Sequence, residues 1–265
     1  MDGSGELEAA DLFMELANET RCAMMTSVAK RPAKLSTLAR ELGITVQDVH
    51  RNANRLVEAG LFERRDGELG LSEFGRVVAM QMPYFAFMKK NRKFFEEHTL
   101  TTVPDKFVQR VGALAGCRVV ENVTVVMEDL KRLETSAKKQ LKIMVTQAWP
   151  EEGQILVDRA KSGVEVQVMI GRNTVFPKNV VDGVASAIDK MRPRIVDTKM
   201  VDRLGMAVYI ADDRAAVMLP NTKGEVDMRT MLAGEDRAFV EWCLDLFDHT
   251  WARAGPADIK KAKIV

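Results

Sequence analysis

Between Leu35 and Leu71 the chain reads LSTLARELGITVQDVHRNANRLVEAGLFERRDGELGL, and few folds accommodate that order of signals. Leu35, Leu38, Ala39 and Leu42 share one face of a short helix, and Gly43 follows as a residue able to close it. Thr45, with Asp48 three residues on, has the spacing of a capped helix start. Beyond it Val49, Ala53, Leu56 and Val57 make one apolar stripe, which Gly60 ends. Residues 61–71 alternate around Asp66-Gly67, a two-residue turn that predicts a hairpin. Helix, tight turn, helix and two-stranded ribbon together are the plan of a winged helix-turn-helix. A helix is expected before it over residues 7–30, with Leu12, Phe13, Leu16, Met24, Met25 and Val28 inward. Arg31-Pro32 ends it. A long helical pattern follows from Ser72-Glu73 through Phe87 toward Phe95, interrupted at Pro83.

Charge is distributed unevenly along the chain. The whole carries a net +1. Residues 1–19 hold six acids and no Lys or Arg, whereas residues 20–93 hold fourteen Lys/Arg against seven Asp/Glu. A basic N-terminal third is what a phosphate-binding head needs, although a solvated charged face has the same composition. A helix starting at Thr45 turns Gln47, His50, Arg51, Asn54 and Arg55 away from its apolar stripe. Arg64 and Arg65 sit on the wing. These side chains can bond base edges or phosphates of double-stranded DNA, so Thr45, Gln47, His50, Arg51, Asn54, Arg55, Arg64 and Arg65 are the candidate DNA-binding residues.

The stretch LARELGITVQDVHRNANRLVEAGLFERRDGELGLSEFGR resembles archaeal and bacterial regulators with a winged helix-turn-helix. NRLVEAGLFERRDGELGLSEFG carries most of the likeness. Residues 94–120, FFEEHTLTTVPDKFVQRVGALAGCRVV, resemble the linker and middle domain of the methanogenesis regulatory protein family of archaea. That resemblance implies an archaeal transcription regulator.

From about residue 117 the pattern changes. CRVVENVTVV, LKIMVTQA, VEVQVMIG, MRPRIVDT, MAVYIA, AAVML and MRTML read as short strands. Helices are expected over 127–139, 151–162, 179–190 and 234–252, giving a mixed sheet flanked by helices. The expected fold class is therefore a winged helix-turn-helix joined to a C-terminal mixed-sheet α/β, sensor-like domain. The expected divisions are 1–97, 98–253 and a loose basic tail, 254–265.

Residues 205–221, GMAVYIADDRAAVMLPN, resemble the strand–turn–strand of the phospholipase D-like fold. There the active pattern is His-x-Lys-x4-Asp. Aligned on Asp212, the His falls on Gly205 and the Lys on Ala207, which supply neither a nucleophile nor a phosphate-holding cation. No other catalytic motif is present, so no catalytic residue is assigned and the chain is not expected to be an enzyme. Asp212-Asp213 reads as a hairpin turn.

Ligands of α/β sheets sit beyond the carboxyl ends of strands. That points to Gln147, Trp149, Arg172, Asn173 and Asn221 as candidates for a small-molecule effector, with ordinary solvated loops as the competing reading. His50, His98, His249 and the three cysteines lack metal-ligand spacing, so neither metal nor cofactor is expected. Sparse cysteines fit a reducing cytoplasm. No signal peptide or membrane-spanning run is expected.

The function these features point to is a transcriptional regulator, homodimeric and responsive to a small-molecule or metabolic signal. Phe74, Val77, Val78 and Met82 are the interface candidates. Phe239, Trp242, Cys243, Leu246, Phe247 and Trp251 are expected to pack on their own sheet. Two other readings stay open: a phospholipase D-like phosphodiesterase tethered to DNA, and a winged-helix adaptor without a DNA target.

Overall fold

The computed structural model describes residues 3–149, 151–176, 196–257 and 263–264. The chain divides into two compact units, 1–86 and 87–265. The division thus falls before the expected one at residue 97, because Phe87 and Phe94 are buried in the core of the second unit.

The first unit opens with α1 (Gly3–Leu16) and α2 (Glu19–Val28). One helix was expected over 7–30, but Asn18 interrupts it. The Asn18 side chain accepts the Arg21 N–H and caps α2, as Asn does well at this position. The buried Arg21 guanidinium reaches back to the carbonyls of Met14 (3.1 Å) and Glu15 (2.5 Å). The last carbonyls of α1 thereby gain partners they would otherwise lack. Phe13, expected inward, is exposed; its ring meets Phe85 edge-on at 6.0 Å.

Next come α3 (Leu35–Leu42) and α4 (Val46–Glu58), separated by Gly43 at φ 67°. The hairpin strands β1 (Phe62–Arg65) and β2 (Glu68–Leu71) pair from Phe62–Leu71 to Arg65–Glu68. Asp66 and Gly67 both take positive φ, 52° and 78°, as a two-residue turn matched to strand twist requires. Met24, Met25, Leu38, Val49, Ala53, Leu56, Leu61 and Leu69 close the core.

The helix α5 (Glu73–Lys90) runs through Pro83 without ending. The break comes instead at Asn91, before α6 (Arg92–Glu97). Proline removes one backbone hydrogen bond. Buried residues on both sides, Val78 and Phe87, hold the helix in register.

In the second unit the short helix α7 (Asp105–Val108) and a 3-10 turn (Val111–Gly116) lead to β3 (Arg118–Glu121). The strand expected over 117–126 stops there. Asn122, at φ 83°, caps α8 (Val123–Ser136) with its side chain, so Val123–Val126 are helical. The remaining elements are β4 (Gln140–Gln147), α9 (Glu152–Lys161), β5 (Glu165–Phe176), β6 (Val196–Val201), β7 (Ala207–Ala211), β8 (Arg214–Met218), β9 (Thr230–Gly234), α10 (Arg237–Trp251), β10 (Gly255–Pro256) and β11 (Lys263–Ile264). The helix expected over 179–190 lies outside the described residues.

The strands form one mixed sheet in the order β10-β6-β5-β4-β7-β8-β9-β3, with β11 pairing β5. Residues after Gly255, expected as a loose tail, instead add strands: Gly255–Pro256 on β6 and Lys263–Ile264 on β5. Alternate residues of each strand face opposite layers. Val208, Ile210 and Met144 face a core with Phe239, Trp242, Leu246 and Phe247 of α10. Tyr209, Ile143 and Val145 face one with Val126, Leu130 and Leu133 of α8. The apolar stripe of α10 is thus occupied by its own sheet, as its sequence suggests.

Candidate nucleic-acid interface

The charged face of the first unit follows from the periodicity of α4. Val49, Asn52, Ala53 and Leu56 are buried, which fixes the opposite side outward. Gln47, His50, Arg51 and Arg55 are exposed and Asn54 is half-exposed. Thr45 is committed to its own helix: its hydroxyl accepts the Asp48 N–H (3.1 Å) and donates to the Asp48 carboxylate (2.7 Å). Its position at the helix start still leaves it on the outer surface.

The basic side chains are paired within this surface. Arg51 meets Asp48 at 2.8 Å. Arg55 makes two bonds to Glu15 of α1, at 2.7 and 3.2 Å. Glu15 is held below the usual carboxylate range, first by its hydrogen bond from Arg55 and then, against a smaller opposing effect of burial, by the charges of Arg21 and Arg55. Arg64 donates to the Asn54 amide oxygen at 2.6 Å, so the wing and α4 form one continuous polar surface. Arg65 pairs with Glu63. Exposed pairs like these are worth little in water, and phosphate oxygens can replace them. Sequence periodicity misses Glu15 because its partner lies forty residues away.

The effector candidates separate. Strand directions put Gln147, Arg172, Asn173 and Asn221 toward one edge of the sheet: Gln147 ends β4, Arg172 and Asn173 lie in the later part of β5, and Asn221 follows β8. Between Ile170 and Val175, β5 bulges out of its ladder with β4. The Thr174 hydroxyl closes the bulge, donating to Val145 O (2.9 Å) and accepting Gly171 N–H (2.8 Å). Both amide atoms of Asn173 are bonded to the Leu204 backbone, at 2.7 and 2.9 Å. The Asn221 oxygen accepts the N–H groups of Lys223 and Glu225 and shapes its own loop. Arg172 lies 3.3 Å from Asp202. Trp149 lines a different place, a cleft between α8 and α9 that also receives Glu134 and Glu152.

Asp212, on which the phospholipase D-like resemblance is aligned, has a structural role. Asp212 has φ 54° in the turn between β7 and β8. Its carboxylate accepts the backbone N–H groups of Lys138, Lys139 and Gln140 at 2.8–3.0 Å. Burial alone would raise its pKa, but these bonds and the Lys139 charge hold it low. Ala207 is buried. Among the described residues no group of three or more His, Cys, Asp or Glu could hold a metal ion, and no helix is long and apolar enough to cross a membrane.

Fold and site together define a chain with a helix-turn-helix unit carrying a polar, arginine-bearing face, followed by a mixed α/β sheet unit. No family model matches it, and no curated protein matches it. Among solved structures it is similar over 91% of its length to 94% of TrmBL2, an archaeal chromatin protein whose structure shows a novel mode of DNA binding, at 11% identity and a TM-score of 0.41. Over 53% of its length it is similar to 97% of Nuc, a phospholipase D family member from Salmonella typhimurium, at 13% identity and a TM-score of 0.40. A third likeness, to the S-adenosylmethionine-dependent methyltransferase SibL in its apo form, covers 74% of this chain and 64% of that one at 12% identity and a TM-score of 0.27. Scores this low do not establish a shared fold, and the functional reading rests on the residues.

Proposed function

We propose that the chain is a DNA-binding transcriptional regulator, with the first unit acting as a winged helix that reads duplex DNA through α4. The observation that carries the reading is the face formed by Gln47, His50, Arg51, Asn54 and Arg55, joined to the wing by the bond from Arg64 to Asn54. Gln and Asn amides suit base edges, and Arg suits guanine or phosphate. The helix is amphipathic and its inner face is packed, so the outer side chains face solvent, where a partner can exchange for their surface pairs.

A homodimer is part of the proposal. One winged helix buries only about 600–1,000 Å² on DNA, and two heads at fixed spacing gain by effective concentration. Phe74, Val77, Met80 and Phe85 of α5 and Phe13 of α1 are half exposed or more, an apolar stripe in which Phe13 and Phe85 touch each other and which is otherwise left open among the described residues. Such a stripe marks an interaction surface. Val78 turns inward and Met82 is half-buried, so the interface is assigned to the other face of α5.

No catalytic step is proposed, because Gly205 and Ala207 stand where the phospholipase D chemistry needs His and Lys, and Asp212 is committed to backbone. A phosphodiester hydrolysis assay tests this: turnover abolished by Asp212→Ala would contradict it. A mobility shift on random duplex at low salt tests the DNA reading, since a protein-interaction adaptor leaves the duplex unshifted.

A further inference from the structure

Glu134 near the end of α8 and Glu152 at the start of α9 are only 1% and 3% exposed, and Tyr209 of β7 beside them is fully buried. Glu152 Oε2 accepts the Trp149 N–H at 3.2 Å. Glu152 lies within hydrogen-bonding reach of Glu134 and of the Tyr209 hydroxyl; apart from one another, its other oxygen, the Glu134 Oε1 and the Tyr209 hydroxyl have no partner among the described residues. Polar groups this deep normally have partners. The basic side chain nearest the pair along the cleft, Lys131, is engaged by Glu151 at 2.7 Å. Both carboxyls line a cleft of about 200 Å³ whose walls are otherwise largely apolar: Met127, Ile155 and the ring of Trp149.

We propose that this cleft binds a small organic cation, a primary amine or guanidinium on a short apolar body, with its N–H groups on Glu134 and Glu152 and its body against Trp149, Met127 and Ile155. Such a cation brings donors and no acceptor, which matches a site whose orphaned atoms include two carboxyl oxygens. An aromatic ring beside the carboxyls adds attraction for a cation. The rim residues Glu128 and Glu151 outnumber Lys131, so the entrance repels anions. A metal ion is a poor occupant, since among the described residues no three or more His, Cys, Asp or Glu are placed so that they could hold one. The volume lies below the roughly 300–1,000 Å³ of pockets for drug-sized ligands and suits something smaller.

Burial pushes both carboxyls up; Glu152 raises Glu134 further, whereas the bonds from Trp149, Glu134 and Tyr209 hold Glu152 back to about 7, so below neutral pH the pair retains protons. An incoming cation takes the place of those protons. Binding therefore releases protons and strengthens as pH rises. The titratable groups facing the pair are Glu128 and Lys131 on α8, Glu151 before α9 and Tyr209 on β7. The proposal names the effector class of the regulator reading, but binding itself requires no DNA.

Titration calorimetry of the full chain with isoamylamine, phenethylamine and agmatine, against 3-methylbutanol as the neutral match, tests it. At least one amine should bind, with the alcohol about tenfold weaker or worse. Glu134→Gln and Glu152→Gln should each weaken amine binding about tenfold or more, and Trp149→Leu should weaken it while leaving the carboxyls intact. Affinity should rise between about pH 6 and about pH 8, with proton release seen as a dependence on buffer. No amine binding to folded wild-type chain at millimolar concentration overturns the proposal, as does binding unchanged by all three substitutions. A mobility shift on the same preparations reports DNA binding separately, so failure of either reading is recognised on its own.

Discussion

Arg55 is held over the outer face of α4 by Glu15, and that pair places an acid where phosphates would lie. Replacing the acid should free the guanidinium and remove a local repulsion. Glu15→Gln is therefore expected to raise affinity for duplex DNA about threefold to tenfold at low salt, with a smaller gain as salt screens the charge. Weaker binding, measured by fluorescence anisotropy on a fixed duplex, would show that Glu15 instead orients Arg55 productively. The outward direction of Arg55 is legible in the 3.6-residue period of α4, whereas its partner is not, because nothing local links α1 to α4. Glu134 did leave a signal. It stands four residues beyond Leu130 and eight beyond Val126, in phase with the apolar stripe of α8. An acid at a core position marks a buried carboxyl, and only its pairing with Glu152 needed the fold.

Among the elements, the junction between hairpin and α5 is tightly specified. The Ser72 hydroxyl donates to Gly60 O (2.5 Å) and accepts the Gly75 N–H (2.9 Å). A Cβ on Gly75 would collide with the carbonyl oxygen of Leu61. Gly75→Ala should cost about 2 kcal/mol or more by displacing the hairpin from α5. Far-UV circular dichroism during denaturation reads this unit, and an unchanged midpoint would contradict the packing described. Turns carried by Gly43 and Asp66-Gly67 were readable, since few residues adopt their conformations. The breaks at Asn18 and Asn122 were less so, because Asn is an ordinary surface residue until its cap is seen. Pro83 misled in the other direction: packing on both sides outweighs one missing hydrogen bond. Four of the candidate ligand residues share one edge of the sheet and Trp149 does not; Asn173 and Asn221 hold loops, and amide side chains offer no sequence mark that separates loop-holding from ligand-binding.

For the whole molecule, two properties follow. Phe74→Glu with Val77→Glu places charges on the exposed stripe of α5 and should convert a dimer into a monomer of about half the mass without unfolding the chain. Light scattering checks this, and a wild-type chain already monomeric would remove the dimer from the account. Stability should also depend on pH in a characteristic way. Glu134 and Glu152 hold protons in the folded state at pH values where an unfolded chain has lost them. Their contribution is thus fully present below the ordinary carboxylate range near about pH 4 and is lost as pH rises through their raised values. Asp212 has the opposite sign: its contribution is present above that range and is lost as pH falls through its lowered value. All three tryptophans, Trp149, Trp242 and Trp251, belong to the second unit, so their fluorescence follows its unfolding. Glu152→Gln should flatten the decline toward neutral pH and Asp212→Asn the decline toward acid.

Contact between α4 and DNA is read from the salt dependence of duplex binding by wild type, Arg51→Ala and Arg55→Ala. Wild-type binding should weaken steeply with salt. Each substitution should either lower the slope of log affinity against log salt by roughly one, if the arginine meets phosphate, or lower specific affinity by about 1–3 kcal/mol, if it meets a base. A wild-type chain that leaves duplex unbound at low salt, or affinities and slopes identical for all three proteins, would contradict that contact.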